Sequence, residues 1–322
     1  MENLSNLTTE QRNKKTNNID SLPVGDIIQI MNREDYHVVE AVERVLPDIE
    51  SAVNAVYKSL ELGGRLFYVG AGTSGRLGIL DAVECPPTFS TDPNLIQAVM
   101  AGGNDAMYAA VEGAEDDPQQ GFSDLQNRMV ESRDVVIGIA ASGRTPYVIG
   151  ALEYAKAIGA ATIALSCNHN AVISHYADHS IEVVVGPEIL TGSTRLKAAT
   201  AHKMVLNMIT TSTMIKLGKV YENLMVDLHV SNQKLTLRAQ SILKTITGIS
   251  DDVASEVLQK ANKEVKSAIV MIEADVSYFE AKQALEKANG FVRQAIQYLK
   301  ARNRCSLLRL FPPRYLSILH LL

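Results

Sequence analysis

Five short apolar runs, separated by stretches with helical character, constrain the fold of this chain most strongly. The runs are rich in β-branched residues and largely uninterrupted, which is typical of strands buried on both faces. Strands that alternate with helices in this way form a parallel sheet with right-handed crossovers and helices on both sides. The sequence therefore predicts a doubly wound α/β fold. The predicted strands are Leu66–Val69, Ile96–Met100, Val135–Ala140, Thr162–Leu165 and Ile181–Val185.

Two small, hydroxyl-rich loops follow the first and third predicted strands. Residues 70–76 read Gly-Ala-Gly-Thr-Ser-Gly-Arg, and residues 142–146 read Ser-Gly-Arg-Thr-Pro. A five-stranded sheet of this class commonly has the strand order 2-1-3-4-5, with the ligand bound between strands 1 and 3. That order places the two loops side by side.

The chemistry of both loops suits an anion. Backbone N–H groups at a helix N-terminus attract negative charge, glycine allows close approach, and hydroxyls add donors. One glycine-rich turn often only joins a strand to a helix, but the pair favours a phosphate monoester. No acidic residue ends the second strand to hold a ribose, and no P-loop lysine is present. The candidate phosphate ligands are Gly72, Thr73, Ser74, Ser142, Gly143, Arg144 and Thr145.

Composition and charge are ordinary for a globular protein. The 322 residues are 46% hydrophobic and 21% charged, and the net charge of −5 does not indicate a nucleic-acid or membrane partner. Three dispersed cysteines and a polar N-terminus without an apolar signal core predict a cytoplasmic protein. The seven histidines lack metal-ligand spacing, so we expect no metal site.

Helical periodicity predicts a helix over residues 35–62, ended by Gly63-Gly64, and later helices over about 193–219 and 231–243. Residues 251–301 read as short helices separated at 274–277 and 289–290. We therefore predict a larger α/β domain with an N-terminal extension over residues 1–247 and a small helical domain over 248–302. Residues 303–322 form an atypical tail without a helical pattern.

Two acidic motifs follow the first loop. In Glu84-Cys85-Pro86-Pro87, the prolines predict a helix end but give no reason for the glutamate. Residues 112–117, Glu-Gly-Ala-Glu-Asp-Asp, read most simply as a solvated charge run. Two separate carboxylates near a bound phosphate would also suit acid–base chemistry on a sugar.

A third polar motif spans residues 186–197, after the last predicted strand. A hydroxyl of Ser193 or Thr194 can cap the following helix. Cations such as Lys197 at a helix start oppose the helix dipole, which predicts a partner anion or carboxylate. We include Glu188, Ser193, Thr194 and Lys197 among the candidate substrate ligands.

Together these stretches resemble the N-acetylmuramic acid 6-phosphate etherases, which are built on the sugar isomerase (SIS) domain. The resemblance covers residues 4 to 300, and the C-terminal helices resemble the ubiquitin-associated (UBA) type. Two positions depart from the family pattern, since Val83 and Ala199 stand where serine and glycine are expected. The matching stretches are Thr9–Asn13, Gly70–Gly78, Glu84–Phe89, Glu112–Asp116, Ala141–Val148, Gly186–Glu188 and Thr191–Ala198.

The resemblance implies cleavage of the lactyl ether of N-acetylmuramic acid 6-phosphate, in peptidoglycan amino-sugar recycling. It implies that Glu84 and Glu115 are the acid–base residues, with Glu84 favoured as proton donor, and that no cofactor or metal takes part. A sugar-phosphate sensor of the glucokinase-regulatory type could keep the loops without both glutamates. An aldose–ketose phosphate isomerase on the same fold could share the proton abstraction at C2.

One distance conflicts with a site inside one subunit. A helix that begins near Ser74 carries Glu84 ten residues along, ~15 Å away, which exceeds the distance from phosphate to C2 in a hexose phosphate. Either this helix ends early, or Glu84 serves the site of a second subunit. SIS proteins are often dimers with shared sites, and the resemblance therefore favours a homodimer.

Overall fold

The computed structural model describes residues 7–302 with their side chains, apart from positions 229 and 231, and the backbone of 303–310. Its centre is a five-stranded parallel sheet with strand order β2-β1-β3-β4-β5. This order and the flanking helices confirm the predicted α/β fold. The strands are β1 (Leu66–Gly70), β2 (Ile96–Met100), β3 (Val135–Ile139), β4 (Ala161–Ser166) and β5 (His179–Glu182).

The register of the sheet brings together the two loops predicted to bind phosphate, the first phosphate loop (residues 70–76) and the second phosphate loop (residues 142–146). Gly70, the last residue of β1, pairs with Ile139, the last residue of β3. The loops that leave these two strands therefore start side by side at the carboxyl edge of the sheet. This is the switch point at which ligands bind in doubly wound folds.

The fifth strand lies earlier in the sequence than the apolar run predicts. It ends at Glu182, which pairs with Ser166, the last residue of β4. Val183 adds one more N–H bond to the Ser166 carbonyl. Because β5 is an edge strand with β4 as its single neighbour, its ladder stops where β4 stops, whatever the propensity of the valines that follow.

The helix predicted over residues 35–62 is two helices with a break at Val45. Pro47 lies in the first turn of the second helix, where proline is tolerated because its missing N–H has no helical partner. The first helix also begins eleven residues earlier than predicted. The helices of the sheet-containing part are α1 (Val24–Arg44), α2 (Leu46–Glu61), α3 (Gly72–Phe89), α4 (Pro118–Asn127), α5 (Pro146–Ala157) and α6 (Lys197–Lys216).

Two glycines let α4 and α5 cross at backbone contact. A Cβ atom on Gly121 would collide with the carbonyl oxygen of Tyr147, and one on Gly150 would collide with that of Pro118. The side chains around this crossing pack with β1 and β3 into one buried apolar cluster that includes Phe67 and Val136. Glycine is therefore required at both positions by the backbone of the opposite helix.

Packing divides the chain into two compact units. The first takes in residues through Pro86 and residues 91–213, and the second takes in Pro87–Ser90 and the residues from Met214 on. The elements of the second unit are β6 (Val220–Tyr221), β7 (Leu224–Met225), α7 (Gln233–Thr247), α8 (Asp251–Lys260), α9 (Val265–Ala274), α10 (Tyr278–Lys287) and α11 (Val292–Leu310).

Small side chains hold the short helices of the second unit together. Its buried cluster is rich in alanine, including Ala254, Ala268, Ala281 and Ala284, and small residues let short helices approach closely. Ile242 and Leu243 of α7 join the same cluster, so α7 packs with the C-terminal helices. The predicted domain boundary near residue 247 coincides with the end of α7 and stays a prediction.

The last helix extends further than the sequence pattern indicates. We predict a tail from residue 303, but the backbone of α11 remains helical to Leu310. The rest of the predicted tail, residues 311–322, lies outside the described residues.

The α4–α5 crossing makes a direct prediction about stability. Gly150→Ala should lower the free energy of unfolding by ~2 kcal/mol or more, because the obstructing atom is backbone and cannot rotate away. Gly25→Ala in α1 is the matched control, since nothing lies within 4 Å of the added methyl, and it should be neutral or stabilise by up to ~1 kcal/mol. Urea unfolding followed by circular dichroism measures both. Equal effects of the two substitutions would contradict the crossing.

Candidate active site

The first phosphate loop is a tight turn between β1 and α3. A Cβ atom on Gly75 would lie 2.8 Å from the carbonyl oxygen of Gly70, and Gly72 has a φ of +53°. Such a turn requires glycine. It directs the first N–H groups of α3 toward the carboxyl edge of the sheet, with Thr73 partly exposed and Ser74 buried.

The second phosphate loop is equally tight. Gly143 has a φ of +73°, and a Cβ atom on it would lie 2.5 Å from that of Ala171. The backbone N–H of Arg144 donates to Ser142 Oγ at 3.4 Å. Thr145 is the residue before α5, and its side chain makes no capping hydrogen bond there. Its hydroxyl thus stands at a helix N-terminus, where an anion is favoured.

A buried asparagine that sequence reasoning missed fastens the second loop. Asn168 donates from Nδ2 to the backbone carbonyls of Ala141, at 3.0 Å, and of Ser142, at 3.3 Å. The same amide nitrogen donates to the hydroxyl of Thr9. An isolated asparagine after a strand carries no distinctive sequence signal, which is why its role emerges only from the structure.

The N-terminal segment, residues 8–16, packs against the loop before α6. Thr9 is 1% exposed, and its carbonyl accepts a bond from the N–H of Gly192. Further along, the hydroxyl of Thr16 donates to the carbonyl of Ile189 at 2.9 Å. The polar composition predicts an extended or surface-wrapped segment, whereas the structure shows 3₁₀ turns with buried anchors.

Glu188 caps α6 from a distance in sequence. Its carboxylate accepts the backbone N–H groups of Lys197, at 3.1 Å, and of Ala198, at 2.9 Å. The helix therefore begins at Lys197, four residues later than predicted, and the cap is Glu188 rather than Ser193 or Thr194. Burial raises the pKa of Glu188, although these two bonds and the charge of Lys197 oppose the rise.

Lys197 meets the carboxylate that its position at a helix start predicts. Its Nζ lies 3.0 Å from Oε2 of Glu34 in α1, and the two side chains are 2% and 7% exposed. Burial alone would raise the pKa of Glu34, but its bonds and charge interaction with Lys197 outweigh burial and lower that pKa. The structure thus gives Glu188 and Lys197 partners that build the start of α6.

Glu115 lies beside the first phosphate loop. It is exposed on a 3₁₀ turn that precedes α4, and with Gly72 it lines a cavity of about 250 Å³. Arg76 of α3 fastens the loop that carries it, because its guanidinium donates to the carbonyls of Ala106 and Met107. The structure therefore brings together one predicted acid–base residue and one predicted phosphate ligand.

Glu84 occupies a different place. It is exposed in the fourth turn of α3, which runs without interruption to Phe89, so the helix does not end early. Pro86 and Pro87 lie in the last turn of this helix. Glu84 lines a second cavity of about 250 Å³ with Leu77 and Lys203. Its distance from Ser74 along the helix is ~15 Å.

Asp81 is a buried acid beside Glu84 that sequence reasoning did not single out. It accepts hydrogen bonds from Tyr68, Asn207 and Thr210, and thereby joins β1, α3 and α6. Burial raises its pKa against the effect of these bonds. Its place in the helical stripe of α3 is visible in the sequence, but its partners are distant.

The remaining singled-out residues lie near these features. Ser193 and Thr194 are half-buried in the turn before α6, and their contact with substrate stays a prediction. Val83 is 57% exposed on α3, whereas Ala199 is buried in the first turn of α6. Within residues 7–302, positions 229 and 231 apart, no three His, Cys, Asp or Glu side chains cluster as metal ligands. Of the helices described, none is long and apolar enough to span a membrane.

Comparison with known proteins places this chain in a family. The chain is 55% identical to the N-acetylmuramic acid 6-phosphate etherase of Bacillus subtilis (strain 168), across 92% of this chain and 97% of that protein. It is 56% identical to the etherase of Geobacillus thermodenitrificans (strain NG80-2), across 91% and 100% of the two chains. The chain belongs to the N-acetylmuramic acid 6-phosphate etherase family. This confirms the resemblance seen in the sequence.

Three family models match parts of this etherase-family chain. Residues 48–156 match the N-terminal SIS domain of glucokinase regulatory protein, and residues 114–212 match the SIS domain. Residues 222–267 match the C-terminal lid domain of glucokinase regulatory protein. A solved phosphoheptose isomerase from Francisella tularensis is 17% identical, with a TM-score of 0.44 over 60% of this chain and 98% of that one.

The buried pair between Lys197 and Glu34 should control stability in this etherase-family chain. Lys197→Met should lower the free energy of unfolding by ~3 kcal/mol at neutral pH, because it leaves a buried carboxylate without its main partner. Lys15→Met is the matched control: Lys15 contacts the same carboxylate at 3.3 Å but is 70% exposed, so its loss should cost under ~1 kcal/mol.

The pH dependence follows from the lowered pKa of Glu34. Its contribution is complete above the unfolded pKa and disappears as pH falls through the folded pKa. The stability difference between wild type and Lys197→Met should therefore be largest at neutral pH and shrink on acidification. Chemical unfolding at a series of pH values measures this, and a difference independent of pH would contradict the assignment.

Proposed function

We propose that this chain cleaves the D-lactyl ether of N-acetylmuramic acid 6-phosphate and releases N-acetylglucosamine 6-phosphate and D-lactate, a step of peptidoglycan amino-sugar recycling. Membership of the etherase family, at 55% identity over 92% of the chain, carries this proposal. The paired anion-binding loops at one sheet edge support a phosphorylated substrate. Thr73, Ser74, Ser142 and Thr145 supply hydroxyls there, and Gly72, Gly143 and Arg144 supply backbone N–H groups.

The reaction is an elimination followed by a hydration, and each half needs two proton transfers. Opening of the sugar ring exposes the C1 aldehyde, which acidifies the hydrogen on C2. Glu115 takes this proton as the C3–O bond breaks, and Glu84 protonates the departing lactyl oxygen. Water then adds across the double bond, with its oxygen on C3 and a proton on C2. Each positioned carboxylate contributes ~10²–10⁴-fold.

The placement of Glu84 supports a homodimer with shared sites. An unbroken α3 carries Glu84 away from the loop of its own subunit, while Glu115 stays beside it. On the same helical stripe as Glu84, Leu80 and Val83 are 45% and 57% exposed, and exposed apolar residues on one face mark association surfaces. We assign this stripe to the subunit interface, from which Glu84 enters the partner's site.

The setting of the reaction is the cytoplasm, since Cys85 and Cys167 are buried free thiols and a reducing compartment preserves thiols.

Two related activities are separable from the proposed one by an assay for lactate release. A non-catalytic sensor of the glucokinase-regulatory type would bind the sugar phosphate without turnover. An aldose–ketose isomerase would convert sugar phosphates without releasing lactate.

Isotopes test the elimination mechanism. In H₂¹⁸O the label should appear on C3 of the amino sugar, because water adds there, and the ether oxygen should remain in lactate. In D₂O one deuterium should appear at C2. Mass spectrometry of both products measures the outcome. Label in lactate would instead indicate direct displacement at the lactyl carbon, and absence of lactate release would refute the proposed function.

Mixed dimers test the shared site. Glu84→Gln and Glu115→Gln should each reduce kcat by at least ~10²-fold. After the two inactive variants are unfolded together and refolded, one site in each mixed dimer contains both intact glutamates if Glu84 crosses the interface. Activity should return to about a quarter of wild type. No recovery, with mixed dimers verified by mass spectrometry, would place both glutamates in one subunit.

A further inference from the structure

Behind the first phosphate loop, three buried side chains form a line, and the proposed function gives a role only to Ser74, the one at the loop. Ser74 Oγ lies 3.5 Å from Nδ1 of His202, and Nε2 of His202 lies 3.3 Å from Sγ of Cys167. His202 and Cys167 are 0% and 1% exposed, and Ser74 is 9% exposed. The line therefore runs from the core to a serine at the loop.

The charge states along this line are defined by burial. Burial lowers the pKa of His202 to about 4, so at neutral pH the ring is uncharged and has one donor and one acceptor nitrogen. Burial, reinforced by the charge of Glu188, raises the pKa of the Cys167 thiol. Cys167 therefore keeps its proton and can donate one weak hydrogen bond.

The thiol has two acceptors within reach. The carbonyl oxygen of Ala198 is 3.9 Å from Sγ, and Nε2 of His202 is 3.3 Å away. The shorter distance favours the ring nitrogen. When Nε2 accepts a hydrogen bond from the thiol, the single proton of the neutral ring must be on Nδ1, which faces Ser74.

We propose that His202 is a positioning residue: Cys167 donates to Nε2, the Nδ1–H group donates to Ser74 Oγ, and the serine hydroxyl then points its own proton at the bound phosphate. This inference rests on the proposed function in placing a phosphate at the first loop. In the opposite tautomer, Nδ1 would accept a hydrogen bond from the Ser74 hydroxyl. A lone pair of the serine oxygen would then face the phosphate. The tautomer of His202 thus decides whether Ser74 attracts or repels phosphate.

Nuclear magnetic resonance measures the tautomer directly on the full chain. In protein labelled with ¹⁵N-histidine, the signals of His202 are identified by their loss in His202→Gln. They should show a protonated Nδ1 and an unprotonated Nε2. Cys167→Ser, which keeps a donor, should preserve this pattern, whereas Cys167→Ala should shift it toward protonated Nε2. A wild-type ring protonated at Nε2, or a pattern unchanged in Cys167→Ala, would overturn the proposal.

Substrate kinetics provide a second test of the role of His202. Cys167→Ala should raise KM about tenfold with little change in kcat, because a charge-assisted bond to the ground-state phosphate is weakened. Cys167→Ser should restore most of the affinity. In a Ser74→Ala background, Cys167→Ala should have no further effect on KM. A merely structural role would lower thermal stability and leave the KM ratio equal in both backgrounds, which would refute the coupling.

The two proposals fail in different ways. If wild type releases no lactate, the proposed function is wrong, and the dissociation constant for N-acetylglucosamine 6-phosphate replaces KM in the same set of variants. Wild type and Cys167→Ser should then bind this probe about tenfold more tightly than Cys167→Ala. Equal binding by all three would reject the role of His202 whatever the reaction.

Discussion

The parallel pairing of β1 with β3 is the constraint on which the rest of the site depends. These strands are distant in sequence, yet their last residues are paired across the sheet, and each leads through a glycine turn into a helix. The helix N-termini consequently converge on one point. Because β1 and β3 are neighbours in the sheet, the two turns predicted to bind phosphate lie side by side at its carboxyl edge.

A second layer of interactions secures the start of α6 against the same edge. Glu188 satisfies the first N–H groups of this helix, and Lys197 from its first turn bonds Glu34 of α1. The N-terminal segment is bound at Thr9 to both Asn168 and Gly192. Charges buried in this way are costly unless each is paired. Their mutual satisfaction explains why four acidic, basic and amide side chains can lie under the site without destabilising it.

The sequence was sufficient for the strands, the two loops and the family, because each leaves a local signature, and the strand order followed from what is common in this fold class. Buried strands appear as apolar runs, and the anion-binding turns combine glycine with hydroxyls. Contacts between distant residues leave no such signature. The carboxylate that Lys197 requires was predictable in kind, but Glu34 could not be identified as its source. The same holds for Asn168 and Asp81, whose partners lie far along the chain.

Local rules also misplaced several boundaries where tertiary contacts override them. The valines after Glu182 have high strand propensity, but β4 offers them no further ladder. Ser193 and Thr194 are good capping residues, yet a buried carboxylate performs that task and delays the helix. Pro47 interrupts a continuous apolar periodicity at a position where the helix can restart. In each case the sequence pattern identifies the helix or strand correctly, and the residues around that element determine where it begins or ends.

The backbone contacts of Gly121 with Tyr147 and of Gly150 with Pro118 make the two halves of the candidate site unequal in rigidity. The turn with Glu115 ends two residues before α4, and the second phosphate loop ends where α5 begins. Helices in backbone contact cannot slide or tilt independently, because no side chain lies between them to yield. The turn that carries Glu115 and the second phosphate loop are therefore held in one position relative to each other. Adjustment to an entering sugar falls to the opposite half, built on α3 and α6.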